Sequence, residues 1–416
     1  MRIIVQKFGG TSVADPECMK NVARIVTNTK KRGYMVVVVV SAPGDMTDDL
    51  IDFANKVSAN IPEREMDMLL ATGEQSSIAL LTMALNEIGT DAISLTGEQA
   101  GVLTNGIYGK ARIKKINTVR LIKELKSGKI VVVAGFQGID ENGEINTLGR
   151  GGSDISAVAI AAALKAERCE IYKDVKGVYT ADPRIVSNAI KVSEMSYDEV
   201  LELASLGAQV LHSRAAELAK KFGLKVYIRS TFDVNAKGTV IKGEHHADIY
   251  YPIQNKKGVF MEGMYVVGAT ADKNQAKVTI VKVPDRPGIA SKIFSSIAKA
   301  HVNVDMIVQN VSHKGYTDVS FTTTRGDLHK TLKIVKSVAR QINAEDVLSN
   351  SDVAKVSIVG AGMTTHPGVA SRMFSALARA KINIDMISTS EIKVSCIVKH
   401  DQADRAVKVL HKEFLE

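Results

Sequence analysis

The end of this sequence is written twice. AKVTIV at 276–281 returns as AKVSIV at 354–359, and PGIASKIFSSIAKAHVNVDMI at 287–307 returns as PGVASRMFSALARAKINIDMI at 367–387. Two copies of one pattern mean two copies of one supersecondary unit. Each copy opens with a β-branched strand, turns at Pro-Gly, runs through a helix with apolar residues three and four apart, and enters a second strand. A third strand follows at 318–322 and 393–398, then a second helix near 328–341 and 402–414. The expected fold of each copy is a ferredoxin-like βαββαβ module.

At 416 residues the chain exceeds what one core organises, so the stretch ahead of the repeat should be a domain of its own. It alternates short β-branched runs, at 3–5, 35–40, 92–95, 130–134, 170–172 and 225–228, with longer amphipathic stretches. Val36 to Val40 is apolar throughout, the mark of a strand buried on both faces. The expected class is therefore α/β, a mainly parallel central sheet covered by helices, followed by the two modules. Helical spacing runs over 15–31 and 154–165, each with an Asp near its start, where a carboxylate meets free amides and the positive dipole end. DENGE at 140–144 predicts a hairpin turn, because Asn-Gly readily takes positive φ. Periodicity fails between Lys242 and Val259, where the join is expected.

Composition narrows the function classes. A net charge of +9 suits nucleic acid, an anionic membrane or a phosphorylated small molecule. Trp is absent and aromatics are 5%, so stacking platforms for single-stranded nucleic acid are poorly supplied. The basic clusters, Lys30-Lys31-Arg32 and Lys114-Lys115, are short and read as solvated faces. The longest apolar run, 35–40, is too short to span a bilayer, and residues 1–7 lack a signal-peptide layout. Cys18, Cys169 and Cys396 lie far apart and the nine histidines show no ligand spacing. The expectation is a cytoplasmic protein with no structural metal, no nucleic-acid partner and no membrane partner.

Three motifs carry chemistry. KFGGTSV at 7–13 follows the first strand, so Gly9 and Gly10 can bring amides against an anion while Lys7 adds charge; it is not a Walker loop, since the lysine precedes the glycines. GRGGSD at 149–154 precedes an alanine-rich helix, and Arg150 can grip a carboxylate bidentately. YKDVKGVYTADPRI at 172–185 is a strand end and a loop with polar groups suited to a nucleotide. GAGMTT at 360–365 begins like a dinucleotide fingerprint, but its third glycine is missing and it reads as a loop of the repeat.

Together with SAPGDMTDDL at 41–50, ATGEQ at 71–75 and FQG at 136–138, these motifs resemble the aspartate kinase branch of the amino-acid kinase family. The repeated tail resembles the tandem ACT modules that regulate it. The resemblance implies an amino-acid kinase sandwich at 1–245, a linker at 246–262, and ACT modules at 263–345 and 346–416. It implies transfer of the γ-phosphoryl group of ATP to the β-carboxylate of L-aspartate, with Mg²⁺ bound through the nucleotide. It also implies feedback inhibition by lysine and/or threonine, and a homodimer or higher oligomer built through the ACT modules.

Residue by residue, the resemblance makes Lys7 the neutraliser of the transferring phosphoryl group and Asp154 the organiser of that lysine. Ser41, Thr47, Glu74, Arg150, Gly151, Gly152 and Ser153 become substrate contacts, with Glu74 on the ammonium and Arg150 on a carboxylate. Gly9, Gly10, Lys173, Asp174, Tyr179, Asp182, Arg184 and Gln209 join Lys7 at the nucleotide; Lys173 and Gln209 stand where many relatives carry Thr and Lys. Effector candidates are Asp285, Gly288, Ile289, Ala290, Asn303, Asp305 and Gln309 in the first copy. Gly368, Val369, Asn383 and Asp385 are their counterparts in the second. Two rival readings are a glutamate or acetylglutamate kinase, opposed by the tandem repeat and SAPGDMTDDL, and an amino-acid-binding regulator with a decayed kinase part. Against the latter, Lys7, Glu74, Arg150 and Asp154 all survive.

Overall fold

The computed structural model describes residues 2–205, 211–243, 265–310, 315–361 and 368–416; the expected linker at 246–262, Gln209 and most of GAGMTT lie outside them. Two compact units form. The first gathers 2–178, 191–204 and 211–243, and the second gathers 179–190 with the described residues from 265 onward.

The first unit is built on an eight-stranded sheet. In spatial order its strands are Glu194–Ser196, Thr239–Lys242, Val226–Ser230, Arg168–Lys173, Ile3–Phe8, Met35–Val40, Ile130–Ala134 and Ala92–Leu95. The six from Val226–Ser230 to Ala92–Leu95 run parallel; Thr239–Lys242 runs antiparallel to them, and the edge strand Glu194–Ser196 pairs parallel with it. Val36 to Val40 is fully buried, as its unbroken apolar run requires. Ile3–Phe8 has Met35–Val40 on one side and Arg168–Lys173 on the other, so the chain reverses its strand order there. The crevice outside the carboxyl ends of strands at such a point is where open α/β sheets bind ligands.

Side chains alternate between the faces of a strand. Phe8 therefore packs with Val38 and Val40 against the helices Pro16–Lys31 and Glu63–Glu87, through Met19, Val22, Ile78 and Leu81. Lys7 leaves the other face, toward the helix Gly152–Ala163. Asp15 caps Pro16–Lys31 by accepting from the Cys18 amide at 2.8 Å. The 25-residue helix Glu63–Glu87 is long and apolar enough to cross a membrane by length and composition, yet its buried side carries Asp67 and Glu74. A smaller sheet holds the predicted hairpin: Gln137–Ile139 pairs antiparallel with Ile145–Thr147, and Gly143 takes φ +81°.

In the second unit the two copies share one six-stranded sheet, in the order Ile307–Gln309, Tyr316–Thr324, Tyr265–Pro284, Asp346–Ala361, Lys393–Lys399, Met386–Ser390. Its two central strands are long because each serves both copies. Residues 265–272 pair with 355–361 of the second copy, whereas 277–281 pair with 346–350 at the end of the first. The strand completing the second half-sheet thus comes from ahead of the first copy. The expected helices are present at Ile289–Lys299, Leu328–Gln341, Val369–Arg379 and Ala403–Leu415. Phe294 packs edge-on to buried Phe321, 5.7 Å between ring centroids, in the first core. The second core takes in Ala181 and Val186, so segment 179–190 is built into this unit. There the Ala269 amide donates to the Thr180 carbonyl at 2.8 Å, and the Thr180 hydroxyl bonds His411 Nε2 at 3.0 Å.

Candidate active site

At the carboxyl ends of the central strands, Lys7 Nζ lies 2.7 Å from Asp154 Oδ1, both side chains more than nine-tenths buried. The register explains why they meet. Lys7 sits opposite Val39 and Ile171 in mid-sheet, one residue from the strand end, and Asp154 occupies the first turn of Gly152–Ala163. Burial alone would raise the Asp154 carboxyl; the ammoniums of Lys7 and Lys173 and the His212 amide hold it below its ordinary value. Burial lowers the Lys173 ammonium, Asp154 pulls it back up and Lys7 pushes it further down. Both ammoniums therefore act on this one buried carboxylate.

Gly151 begins that helix at φ +73°, and a Cβ there would lie 2.4 Å from the His212 ring. Only glycine lets the loop and the imidazole fit together. His212 in turn caps the helix Ser213–Phe222, its Nδ1 accepting from the Arg214 amide at 3.3 Å.

Glu74 reaches the same crevice from Glu63–Glu87. Its Oε1 accepts from the Ala42 amide at 3.0 Å, directly after Ser41, while Oε2 is buried with no hydrogen-bond partner among the described residues. Burial pushes the Glu74 carboxyl up to about 7, against the pull of the Ala42 amide and the Lys7 ammonium. A buried acceptor left open in this way leaves a place for a hydrogen-bond donor, and an ammonium there would also favour the ionised carboxylate. Close approach is enforced nearby, because a Cβ on Gly10 would sit 2.9 Å from the carbonyls of Ala42 and Gly44. Ser41 and Thr47 are half-buried and Ser153 is buried. Arg150 is exposed and makes no ion pair among the described residues.

Asp67 and Arg214 position the GRGGSD loop and were missed by sequence reasoning. Asp67, 1% exposed, accepts from the Thr147 amide at 2.8 Å, the Thr147 hydroxyl at 2.6 Å and the Gly109 amide at 2.9 Å. Arg214 donates to the Leu148 carbonyl at 2.7 Å and the Ala111 carbonyl at 2.8 Å. Both bind the backbone just before Gly149. The sequence marks them only as single polar residues within helical patterns.

The remaining expected residues fall in several places. Asp174 is exposed beyond the strand Arg168–Lys173 in the first unit. Tyr179, Asp182 and Arg184 belong to the second unit, where Arg184 and Asp182 pair with each other at 2.7 Å. In the first copy, Asp285, Gly288, Ile289, Ala290 and Gln309 line one cavity of about 340 Å³. Asn303 and Asp305 do not line it: the Asn303 carbonyl accepts from Thr323, and Asp305 pairs with Lys355. Gly368 starts the second copy's first helix at φ +101°, Val369 is buried, Asn383 is exposed, and Asp385 faces Lys277 at 3.7 Å. Among the described residues no three His, Cys, Asp or Glu side chains are grouped to hold a metal ion.

Comparison with known proteins identifies the family. The amino acid kinase family model matches residues 2–230, and ACT domain models match 277–340 and 356–414. The aspartokinase of Bacillus sp. strain MGA3 is 50% identical over 415 residues, covering 100% of this chain and 97% of that protein. E. coli aspartokinase III in complex with aspartate and ADP superimposes with a TM-score of 0.83 at 24% identity, all of both chains covered. The same enzyme in complex with lysine and aspartate gives 0.71 at 25% identity, again over both full chains. With the family model spanning more than half its length and a full-length relative at half identity, this chain belongs to the amino acid kinase family, and within it to the aspartokinases.

Proposed function

We propose that the chain converts L-aspartate and ATP to 4-phospho-L-aspartate and ADP, the first step toward lysine, threonine and methionine, and is inhibited by lysine and/or threonine bound at its ACT modules. The observation that carries the chemistry is the buried Lys7–Asp154 pair beside Glu74, whose Oε2 lacks a partner. In this reading the β-carboxylate of aspartate, ionised at neutral pH, attacks the γ-phosphorus. A carboxylate O–P bond forms, the bond from the γ-phosphorus to the bridging oxygen breaks, and ADP leaves with the electron pair. No general base is needed. Lys7, held by Asp154, neutralises the equatorial oxygens, and positioning with electrostatics does the rest.

Glu74 takes the substrate ammonium, while Arg150 and the amides of Gly151 to Ser153 take a carboxylate, with Ser41 and Thr47 alongside. An amino acid with two carboxylates needs both kinds of partner. Gly9, Gly10, Lys173 and Asp174 serve the nucleotide. Mg²⁺ would travel with the ATP phosphates and spread their charge, which suits a site with no cluster of carboxylates among the described residues.

For regulation, the complex of E. coli aspartokinase III with lysine and the cavity at Asp285 to Ala290 support an amino-acid effector in the first copy. The proposed domain limits are 1–245, 246–262, 263–345 and 346–416, with segment 179–190 packed into the second unit and the strands 265–272 and 346–350 exchanged between the two modules' half-sheets. Assembly through the modules is favoured by the sheet edges, where Ile307 and Ile387, equivalent in the two copies, are 52% and 44% exposed. A cytoplasmic setting suits the three free cysteines. The test is hydroxamate trapping of acyl phosphate with aspartate and with glutamate. The reading requires signal with aspartate and ATP and little with glutamate; preference for glutamate or no signal overturns it.

A further inference from the structure

A cavity of about 290 Å³ lies between the helix Pro16–Lys31 and the strands Arg168–Lys173 and Val226–Ser230. It is on the opposite face of the sheet from the Lys7 site. Gln6 and Lys7 are neighbours on one strand, so their side chains leave opposite faces; Lys7 meets Asp154, whereas Gln6 meets Glu170 in the wall of this cavity. Glu170 is 1% exposed and accepts from Gln6 Nε2 at 2.8 Å, Arg168 Nε at 2.9 Å, the Tyr172 hydroxyl at 3.1 Å and Arg229 at 3.4 Å.

That carboxylate sets the orientation of two guanidiniums, only 21% and 24% exposed. Tyrosine rings back them, Tyr34 and Tyr227 at 5.2 and 5.5 Å from Arg168, and Tyr172 at 5.8 Å from Arg229. Arg24 and Arg32 stand on the rim, exposed and without an ion pair among the described residues. Four arginines against Glu170 in the lining and Glu167 just behind Arg168, 2.9 Å away, leave an excess of two positive charges.

A solvated basic face spreads its charges over convex surface and leaves them mobile. Here two are fixed in a concave wall and two more converge on it, an arrangement that recognises an anion of several charges. We propose that this cavity is a binding site for a diphosphate group, free or at the end of a nucleotide, separate from the phosphoryl-transfer site. A lone carboxylate would balance only part of the excess, whereas a diphosphate matches its charge and presents oxygens to several planar guanidiniums at once.

The test is calorimetric titration of the full chain with inorganic pyrophosphate and, separately, with ADP, comparing wild type with Arg24→Ala/Arg32→Ala. Because both arginines are exposed and unpaired, the variant should fold normally and keep its KM for ATP. The proposal requires one class of pyrophosphate site to weaken at least about tenfold in the variant, as expected on losing two charge-assisted contacts. The same loss for ADP assigns the site to nucleotides as well, and loss for pyrophosphate alone assigns it to the bare diphosphate; either upholds the proposal. Superimposable isotherms for wild type and variant overturn it.

Discussion

The ammonium of Lys355 meets the carboxylate of Asp305, and the two residues belong to different copies of the repeat. Lys277 and Lys355 hold the same place in their copies, as do Asp305 and Asp385, and Lys277 faces Asp385 at 3.7 Å. Each lysine thus reaches across to the aspartate of the other copy. The two pairs differ in setting, for Lys355 is 2% exposed and Asp305 40%.

That asymmetry makes the two single variants unequal. Asp305→Ala strands a buried ammonium and should destabilise the second unit by about 2–4 kcal/mol, the low side reflecting water reaching through the vacated position. Lys355→Met replaces the buried charge with an apolar chain of similar length and leaves Asp305 free to hydrate, so it should be near neutral. Urea denaturation of both variants and of the double variant checks this; the double variant should recover most of the Asp305→Ala loss. Equal losses in the two single variants would mean that the pair is solvated.

Glu74, pushed up to about 7 by burial, predicts a pH dependence of substrate binding. Only the ionised carboxylate can pair with an ammonium. Below pH 7 KM for aspartate should therefore rise, approaching about tenfold per unit, and level off above it. For stability the sign is opposite. The folded state holds this proton more tightly than the unfolded chain, so its contribution is full below the unfolded value of 4.5 and is lost as pH rises through about 7. Glu74→Gln should flatten both profiles and raise KM, measured by steady-state kinetics and urea melts across pH 5 to 9.

Asp67 gathers the Gly109 amide and both polar groups of Thr147 on one buried carboxylate. Asp67→Ala leaves those donors unpaired and should cost about 3 kcal/mol in urea unfolding. Because Thr147 leads into Gly149 and Arg150, KM for aspartate should rise at the same time. A variant that loses stability with unchanged KM would separate Asp67 from the site.

What was legible in the sequence follows from the range of each interaction. The all-valine strand, the hairpin at Asn142-Gly143 and the helix capped by Asp15 are local, and all three appear where their patterns put them. The repeat announced two modules, but not that they share a sheet: residues 265–272 pair with 355–361, far along the chain, and nothing in the repeat marks that strand. Lys7 was legible as the cation of KFGGTSV, the pairing with Asp154 came from the family resemblance, and their ion pair follows from sheet register. Asp67 and Arg214 escaped notice because their partners include backbone groups 80 and 66 residues away. Tyr179 to Arg184, grouped by sequence with the nucleotide loop, pack in the second unit because Ala181 and Val186 supply apolar surface to its core.

The central claim is that Lys7, fixed by Asp154, carries the transition-state charge of phosphoryl transfer. Single-turnover acyl-phosphate formation by Lys7→Met, with aspartate and ATP both saturating, addresses it most directly. The rate should fall by about 10² to 10³ or more, with the folded state intact by near-ultraviolet circular dichroism. A rate within a few-fold of wild type would place the transferring phosphoryl group somewhere other than beside Lys7.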